Sequence, residues 1–295
     1  MTAAPLPIAT ARATFIGFGA ILLWSLLALF TVASGGVPPF QLAAITFLIG
    51  GLAGCAGFVL RPGRVRVLRQ PPTVWLLGVG GLFGYHALYF AALRLAPPAE
   101  AGLVNYLWPL LIVLFSARLP GAGGLRPGHV AGALLGFAGV AVLLTGRDSG
   151  FTAAALPGYA AALAAAFVWA AYSVLSTRAG AVPTEAVAGF CLVTGLLSLA
   201  CHLGLERTVW PDVPSAWAAI VLLGLGPVGA AFYLWDIGCK RGDVRLLGVA
   251  AYAAPILSTL ILVATGYAPA TPALALSCLL IVAGALCAVR ASRVA

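Results

Sequence analysis

The segments NYLWP, residues 105–109, and AYAAP, residues 251–255, carry tyrosine and proline at the same two positions, 146 residues apart. A shift of 145 likewise places Trp24 on Trp169. Positions that recur at a fixed distance indicate a duplicated unit, and in a chain of this size they are typical of transporters built from two homologous halves.

The composition places this duplicated unit in a lipid bilayer. Hydrophobic residues make up 62% of the 295 residues and charged residues 8%, and the mean hydropathy is +1.09, which leaves too little polar surface for a water-soluble globule. A spanning helix needs about 20 largely apolar residues, and continuous apolar runs favour helices over barrel strands. We therefore predict an all-α membrane protein with ten transmembrane helices, near residues 14–34, 40–60, 73–94, 99–117, 128–145, 156–177, 185–204, 215–238, 244–265 and 270–289.

The positions of the basic residues predict the orientation. Thirteen Lys and Arg residues lie at the termini and in one set of alternating loops, whereas the other set holds only Arg94, Arg147 and Arg207. The positive-inside rule then places both termini and the basic segment 61–69 in the cytoplasm. The net charge of +9 is therefore interpreted as a topology signal rather than as a nucleic-acid-binding surface.

The number of spans predicts that the two halves are inverted. Residues 1–146 and 147–295 each hold five predicted spans, and an odd number makes the second half enter the membrane from the opposite side. The charges agree, because segment 61–69 is basic while the equivalent segment 206–212 carries two acidic residues. Inverted repeats are typical of secondary transporters whose site lies between the halves, near the bilayer midplane.

Charged side chains are nearly absent from the predicted spans. Glu100 follows two prolines and is interpreted as a helix-start residue, and Asp236 lies four residues before Lys240, which favours an ion pair. The lack of a central carboxylate argues against a proton antiporter for cations, and the lack of central Lys or Arg argues against strongly anionic substrates. No Cys and His cluster has metal-ligand spacing, so we predict neither a metal nor a cofactor.

Aromatic and polar side chains at mid-membrane depth form the candidate site. Tyr and Trp are usual at membrane interfaces, but a deeply buried O–H or N–H needs a partner, which a shared polar cavity supplies. His86 is a candidate to titrate or to donate to a substrate carboxylate, with a neutral ring bonded to a neighbouring helix as the alternative. Ordinary core packing stays open as an alternative for the whole set. The candidate substrate-binding residues are Trp24, Tyr85, His86, Tyr89, Asn105, Tyr106, Trp108, Trp169, Tyr172, Ser173 and Tyr252.

Three prolines lie inside predicted spans, at Pro109, Pro227 and Pro255. Each removes a backbone hydrogen bond and bends the helix, and in lipid the freed carbonyl must be satisfied by neighbours or a water-lined cavity. We predict that these positions are hinges, and that the paired kinks at Pro109 and Pro255 expose carbonyls to a substrate, with static kinks as the alternative. The motif Gly132xxxGly136 indicates close helix packing.

The segments ALYFAAL (87–93), YLWP (106–109), YLWD (233–236) and KRGD (240–243) resemble the EamA-type members of the drug/metabolite transporter superfamily. Within that group, YLWP and the aromatic-rich spans are most similar to the aromatic amino acid exporters of the YddG type. The resemblance implies a multi-pass exporter of the bacterial inner membrane, with a cavity lined by helices 1, 3, 4, 6, 8 and 9.

The predicted function is therefore export of aromatic and other bulky apolar amino acids by alternating access. An aromatic cavity without a central charge suits such zwitterions, because their rings pack on Trp and Tyr and an ammonium sits over a π face. The expected partners are a small-molecule substrate and the bilayer, with no nucleic acid, and the chain is taken as a monomer. Export of threonine, cysteine-type compounds or drugs, a passive channel, and an intramembrane enzyme are the alternatives, the last without a Ser/His pair or paired carboxylates at depth.

Overall fold

The computed structural model describes residues 8–60, 62–117, 119, 126–145, 152–266 and 269–293, and every regular element in these ranges is helical. The predicted boundary between the halves at residues 146 and 147 lies outside the described residues, as do Arg61 and Arg147. The α-helices are α1 (Ile8–Ser25), α2 (Leu27–Ala33), α3 (Pro39–Leu60), α4 (Pro72–Leu95), α5 (Pro98–Asn105), α6 (Trp108–Ser116), α7 (Pro127–Thr145), α8 (Leu156–Ser176), α9 (Val187–Leu205), α10 (Pro214–Leu225), α11 (Ala231–Arg241), α12 (Val244–Ala250), α13 (Ala253–Ala264) and α14 (Pro272–Arg293). Short 3-10 helices span Pro62–Leu68, Ala153–Ala155, Thr177–Ala179 and Thr184–Ala186, and a π-helical turn spans Gly226–Ala230.

Length and hydropathy make eight helical segments of the described chain candidates to cross a membrane. Two shorter apolar segments, Glu100–Ser116 and Pro127–Val142, lie where the fourth and fifth spans were predicted. The prediction of an all-helical membrane protein is confirmed at this level. The eight segments are Ile8–Ala33, Pro39–Ala56, Pro72–Leu95, Ala153–Ala179, Thr184–Leu205, Pro214–Arg241, Val244–Ala264 and Pro272–Ala291.

Proline positions coincide with interruptions in three of these segments. α5 and α6 are separated by a turn at Tyr106, and Pro109 is the second residue of α6. Pro255 is likewise the third residue of α13, just after the turn that ends α12. A proline in the first turn of a helix removes no needed hydrogen bond, so the chain breaks before it instead of bending through it. Pro227 lies inside the π-helical turn between α10 and α11.

Pairs of helices pack side by side through the bundle. α1 packs on α11, α4 on α8, α3 on α9, and α7 on α14, while α6 contacts α12. The backbones of α7 and α14 approach each other closely, because a Cβ added to Gly132 would lie 2.6 Å from the carbonyl O of Gly284. A Cβ added to Gly284 would lie 2.5 Å from the carbonyl O of Gly132. Small residues at such crossings let two helices meet without side chains between them.

Gly284→Ala is therefore expected to destabilise the protein by about 1–3 kcal/mol, because the added methyl group overpacks the backbone of α7. Gly204→Ala is the matched control: it adds the same group within α9, where no heavy atom lies within 4 Å of the new Cβ. Thermal unfolding in detergent measures both variants against the parent chain. Equal midpoints for the two variants would contradict the close α7–α14 contact.

Among the charged residues of the spans, Asp236 has the partner that the sequence suggested. Asp236 Oδ1 lies 2.8 Å from Lys240 Nζ, which confirms the predicted ion pair. Asp236 Oδ2 also accepts from the hydroxyl of Thr184 at 2.7 Å, and Lys240 donates to the carbonyl of Val182 at 2.9 Å. Glu100 lies in the first turn of α5, as predicted. These groups stabilise helix ends and are not part of a central charged site.

Glu206 holds a second buried charge cluster that the sequence did not reveal. Its side chain is 2% exposed and pairs with Arg94 at 3.0 Å and with His202 at 3.0 Å. Its two oxygens also accept from the backbone N–H groups of Phe40 and Gln41, each at 3.1 Å. A carboxylate at this position satisfies free donors of the first turn of α3. The end of α9 is thereby fixed to the start of α3 and the end of α4.

Candidate functional site

A central cavity of about 470 Å³ lies near the middle of the helix bundle. Its lining comes from α1, α2, α4, α5, α6, α8, α11 and α13, together with the π-helical turn before α11 and the turn at Tyr106. This volume is in the range of sites that enclose a small molecule. None of its described lining residues is Asp, Glu, Lys or Arg. The lining residues are Trp24, Leu27, Ala28, Tyr85, His86, Tyr89, Asn105, Tyr106, Trp108, Trp169, Pro227, Val228, Phe232, Ala254, Pro255, Ser258, Thr259 and Leu262.

Four tryptophans from four helical segments close one end of this cavity. Trp24, Trp108, Trp169 and Trp235 form a cluster in which all six pairs of ring centroids lie 5.0 to 6.5 Å apart. Trp235 is fully buried and lies behind the other three, which line the cavity. Edge-to-face and tilted contacts of this kind are favourable for aromatic rings. We call these residues the four-tryptophan cluster.

Two of the indole N–H groups in this cluster, those of Trp24 and Trp235, have hydrogen-bond acceptors from other helical segments. Trp24 Nε1 donates to the carbonyl of Pro227 at 3.1 Å, so the π-helical turn supplies an acceptor that a regular helix would not offer. Trp235 Nε1 donates to the hydroxyl of Ser173 at 3.1 Å. The first bond ties α1 to the proline-bearing turn, and the second ties α11 to α8.

Tyrosines form the wall of the cavity beside α4. Tyr85 stacks on Tyr89 with ring centroids 6.0 Å apart and packs against Trp169 at 5.2 Å. The amide Nδ2 of Asn105 donates to the hydroxyl oxygen of Tyr85 at 3.0 Å, which links α5 to α4. This wall combines aromatic faces with hydroxyl and amide groups, the combination that positions an amphipathic ligand.

His86 binds its own helix rather than a neighbouring one. Its Nδ1 lies 2.7 Å from the carbonyl O of Leu82, and a carbonyl only accepts, so Nδ1 carries the hydrogen. In the neutral ring Nε2 is then an acceptor. The ring packs edge-on against Phe47 at 5.0 Å and Phe90 at 6.0 Å. Neutral His86 can therefore accept from a ligand ammonium but cannot donate Nε2–H to a carboxylate.

Eight of the eleven predicted substrate-binding residues line the cavity, and three do not. Tyr172 packs its ring on the backbone of Gly81, and Ser173 accepts from Trp235. Both lie one turn past Trp169 on α8, beyond the four-tryptophan cluster, where the helices are tightly packed. Tyr252 lies in the turn between α12 and α13 and is fully buried against Gly136 of α7. Of the predicted hinges, Pro227 and Pro255 line the cavity and Pro109 does not.

Sequence reasoning missed the α13 wall of the cavity. Ser258, Thr259 and Leu262 follow Pro255 by three, four and seven residues, so they share its helical face. This spacing predicts that the three residues line the cavity once Pro255 is assigned to it. Thr259 donates its hydroxyl to the carbonyl of Pro255 at 2.8 Å, while Ser258 is partly exposed to the cavity. Also missed were Leu27, Ala28, Val228, Phe232 and Ala254.

Metal ligands do not converge in the part of the chain that the structure describes. Within those residues, no group of three or more His, Cys, Asp or Glu side chains is placed to hold an ion. All six cysteines are free thiols, of which Cys191 and Cys239 are buried. Small buried thiols of this kind pack as apolar side chains.

The helical segments and the central cavity together define a polytopic membrane protein with a chamber for a small molecule. The EamA-like transporter family matches the chain twice, at residues 11–145 and 156–290. The chain belongs to this family of transporters.

Three relatives from bacteria support the same assignment, and each is named aromatic amino acid exporter YddG. The protein of Ancylobacter novellus is 62% identical over 283 residues, covering 95% of this chain and 98% of the relative. The Escherichia coli protein is 30% identical and the Salmonella typhimurium protein 27%, each match covering 84% of this chain and 86% of the relative. A crystal structure 62% identical to this chain superposes with a TM-score of 0.91, covering 96% of this chain and 98% of that one. The chain is thus a multi-pass protein of the bacterial inner membrane.

Proposed function

We propose that this protein exports aromatic and other bulky apolar amino acids by alternating access through the central cavity. The observation that carries the proposal is a chamber of about 470 Å³ lined by aromatic rings, with no Asp, Glu, Lys or Arg among its described lining residues. An amino acid zwitterion has no net charge, so it needs no compensating ion in the site. The 62% identity to a protein named as an aromatic amino acid exporter supports this substrate class.

The geometry supports one arrangement of the substrate. Its ring packs against the cavity-lining surfaces of Trp24, Trp108 and Trp169 at the closed end of the cavity. Its ammonium sits over a tyrosine face of the α4 wall or donates to Nε2 of His86. Its carboxylate accepts from hydroxyl groups, of which Ser258 is the best placed because the hydroxyl of Thr259 already donates to a carbonyl.

We further propose ten spans in two inverted halves, residues 1–146 and 147–295, with both termini in the cytoplasm. The helix pairing supports this, because exchanging the halves turns the α1–α11 contact into the α8–α4 contact and leaves α3–α9 and α7–α14 unchanged as pairs. The interruptions support it too: the turn that begins at Tyr106 recurs at Ala251, 145 residues later. The repeated family match has the same division.

Under this topology the cavity opens to the outside of the cell. Ala28 and Leu262 lie near the outer ends of the first and ninth spans, and both line the cavity. The four-tryptophan cluster lies on the cytoplasmic side of the cavity, and the Asp236–Lys240 ion pair lies beyond it. The arrangement corresponds to an outward-open state with a closed inner side.

Counterflow in proteoliposomes tests the proposed function. Vesicles preloaded with phenylalanine are expected to accumulate labelled tryptophan or phenylalanine transiently, with saturable kinetics, because a carrier exchanges substrate through one site. Lysine and glutamate are expected to give no counterflow, since each would bring a net charge into a cavity whose described lining holds no countercharge. Unsaturable flux would indicate a pore, and counterflow with threonine alone would indicate a different metabolite.

A further inference from the structure

A second cavity, of about 290 Å³, lies between the cytoplasmic ends of α6 and α8 and shares no lining residue with the central site. We call it the α6–α8 groove. Apart from one arginine, its lining is apolar, so water would fill it poorly. The lining residues are Phe115, Leu119, Ala171, Val174, Leu175 and Arg178.

The groove lies on a face of α8 that faces lipid. Leu163, Phe167, Ala171 and Leu175 are spaced four residues apart and so form one stripe along the helix. The three large members of this stripe are 38%, 45% and 43% exposed. In a membrane protein, apolar side chains exposed in this way contact acyl chains. The groove exists because Ala171 leaves a gap in the stripe.

The aromatic wall of the groove comes from the neighbouring helix. Phe115 of α6 packs against Phe167 with ring centroids 5.6 Å apart. This contact closes the end of the gap nearest the membrane centre, while the other end leads to Arg178, just after the end of α8. The groove therefore runs from the hydrocarbon region toward the headgroup level.

Arg178 makes this groove amphipathic. Its side chain is exposed and has no ion-pair partner within the described ranges. The proposed topology places it at the cytoplasmic surface, where a guanidinium attracts anionic lipid headgroups and forms strong hydrogen bonds with phosphate. An acyl chain lying along Ala171 and Leu175 would carry its headgroup to this position.

We propose that the α6–α8 groove binds an anionic phospholipid of the inner leaflet, with one acyl chain in the gap at Ala171 and the headgroup phosphate on Arg178. The charge of Arg178 favours an anionic headgroup, and the apolar lining of the groove favours an acyl chain. A zwitterionic lipid would fit the apolar part but would add a positive charge beside the guanidinium.

Native mass spectrometry of the full-length protein, titrated with phosphatidylglycerol or phosphatidylcholine in detergent, tests the proposal. Phosphatidylglycerol is expected to bind at one saturable site, and Arg178→Gln is expected to weaken it about fivefold, the effect of one arginine near a membrane surface. Ala171→Phe is expected to abolish binding because the ring fills the gap. Arg66→Gln, which removes an exposed arginine outside the groove, is the control and is expected to leave binding unchanged.

Three results would overturn the proposal. The first is equal binding of both lipids, or binding of phosphatidylglycerol that Arg178→Gln leaves unchanged, which would indicate only general lipid contact. The second is a dimer that Ala171→Phe dissociates, which would assign the groove to a second copy of the chain. The third is equal binding of soluble glycerol phosphate, which would mean that the acyl chain contributes nothing. Since Arg178→Gln changes an exposed side chain, the first comparison stands even where Ala171→Phe does not fold.

Discussion

Trp108→Ala is expected to raise the KM for tryptophan and phenylalanine transport at least about tenfold at normal expression. The indole of Trp108 lines the cavity and meets the three other tryptophans of the cluster. Its removal deletes an aromatic contact to the substrate and loosens the rings that form the remaining surface, and a contact of this kind contributes about 0.5–1.5 kcal/mol beyond the apolar area that it buries. Initial rates of uptake into proteoliposomes, over a range of substrate concentrations, measure the change.

Trp108→Phe separates the loss of the aromatic surface from a general loss of structure. A phenyl ring keeps a flat apolar face at the position, so its KM is expected to lie between those of the parent and Trp108→Ala. Trp210→Ala is the second control, because Trp210 is 59% exposed and stacks on Trp217 away from the cavity. Kinetics of Trp108→Ala that match the parent would count heavily against a substrate stacked on this cluster.

Local sequence patterns predicted the elements and contacts that depend on residues close in the chain. Asp236 and Lys240 are four residues apart, so helical spacing alone predicts their ion pair. Pro109 and Pro255 mark, within apolar runs, the places where the helices are interrupted. Both effects are set within one helical turn. The depth of the aromatic residues was equally readable, since it depends only on their position within an apolar run.

Contacts between distant segments could not be predicted in the same way. Glu206 lies between two predicted spans, but its carboxylate is buried and accepts from the N–H groups of Phe40 and Gln41, about 165 residues away in the chain. Tyr172 shares a helical face with Trp169, yet the packing of Gly81 against its ring removes it from the cavity. Helical spacing assigns a residue to a face, whereas the path of the neighbouring helices decides where along that face the cavity ends.

Residues of α13 that line the open cavity have repeat counterparts on α6 that are buried in a closed part of the proposed transport path. Thr259 and Leu262 line the outer part of the cavity, and a shift of 146 maps them onto Val113 and Ser116. Both counterparts are fully buried in the packed second half of α6, which is cytoplasmic under the proposed topology. An inverted repeat reaches its opposite state when the two halves exchange conformations. We therefore expect the Val113 face of α6 to line the cavity when it opens to the cytoplasm.

The same exchange assigns opposite roles to Trp235 and Tyr89, which also lie 146 residues apart. Trp235 packs on Trp24 at 5.0 Å, and under the proposed topology it seals the cytoplasmic side of the cavity. Tyr89 occupies the equivalent position on α4 and instead faces the open cavity, stacked on Tyr85. In the opposite state Tyr89 is expected to close on Trp169, the counterpart of Trp24, while Trp235 moves away.

Trp235→Ala is accordingly expected to shift the protein toward the inward-open state by about tenfold, because it removes aromatic contacts of Trp235 made in the outward-open state. In a cysteine-free background, thiol labelling of Ser258→Cys from outside should slow, while labelling of Val113→Cys from inside, in inverted vesicles, should accelerate. Trp210→Ala should change neither rate. If one cavity alternates between the two sides, the labelling rates at the two positions must change in opposite directions. Unchanged labelling at both positions would therefore exclude Trp235 as the inner seal, and faster labelling at both would indicate a continuous pore.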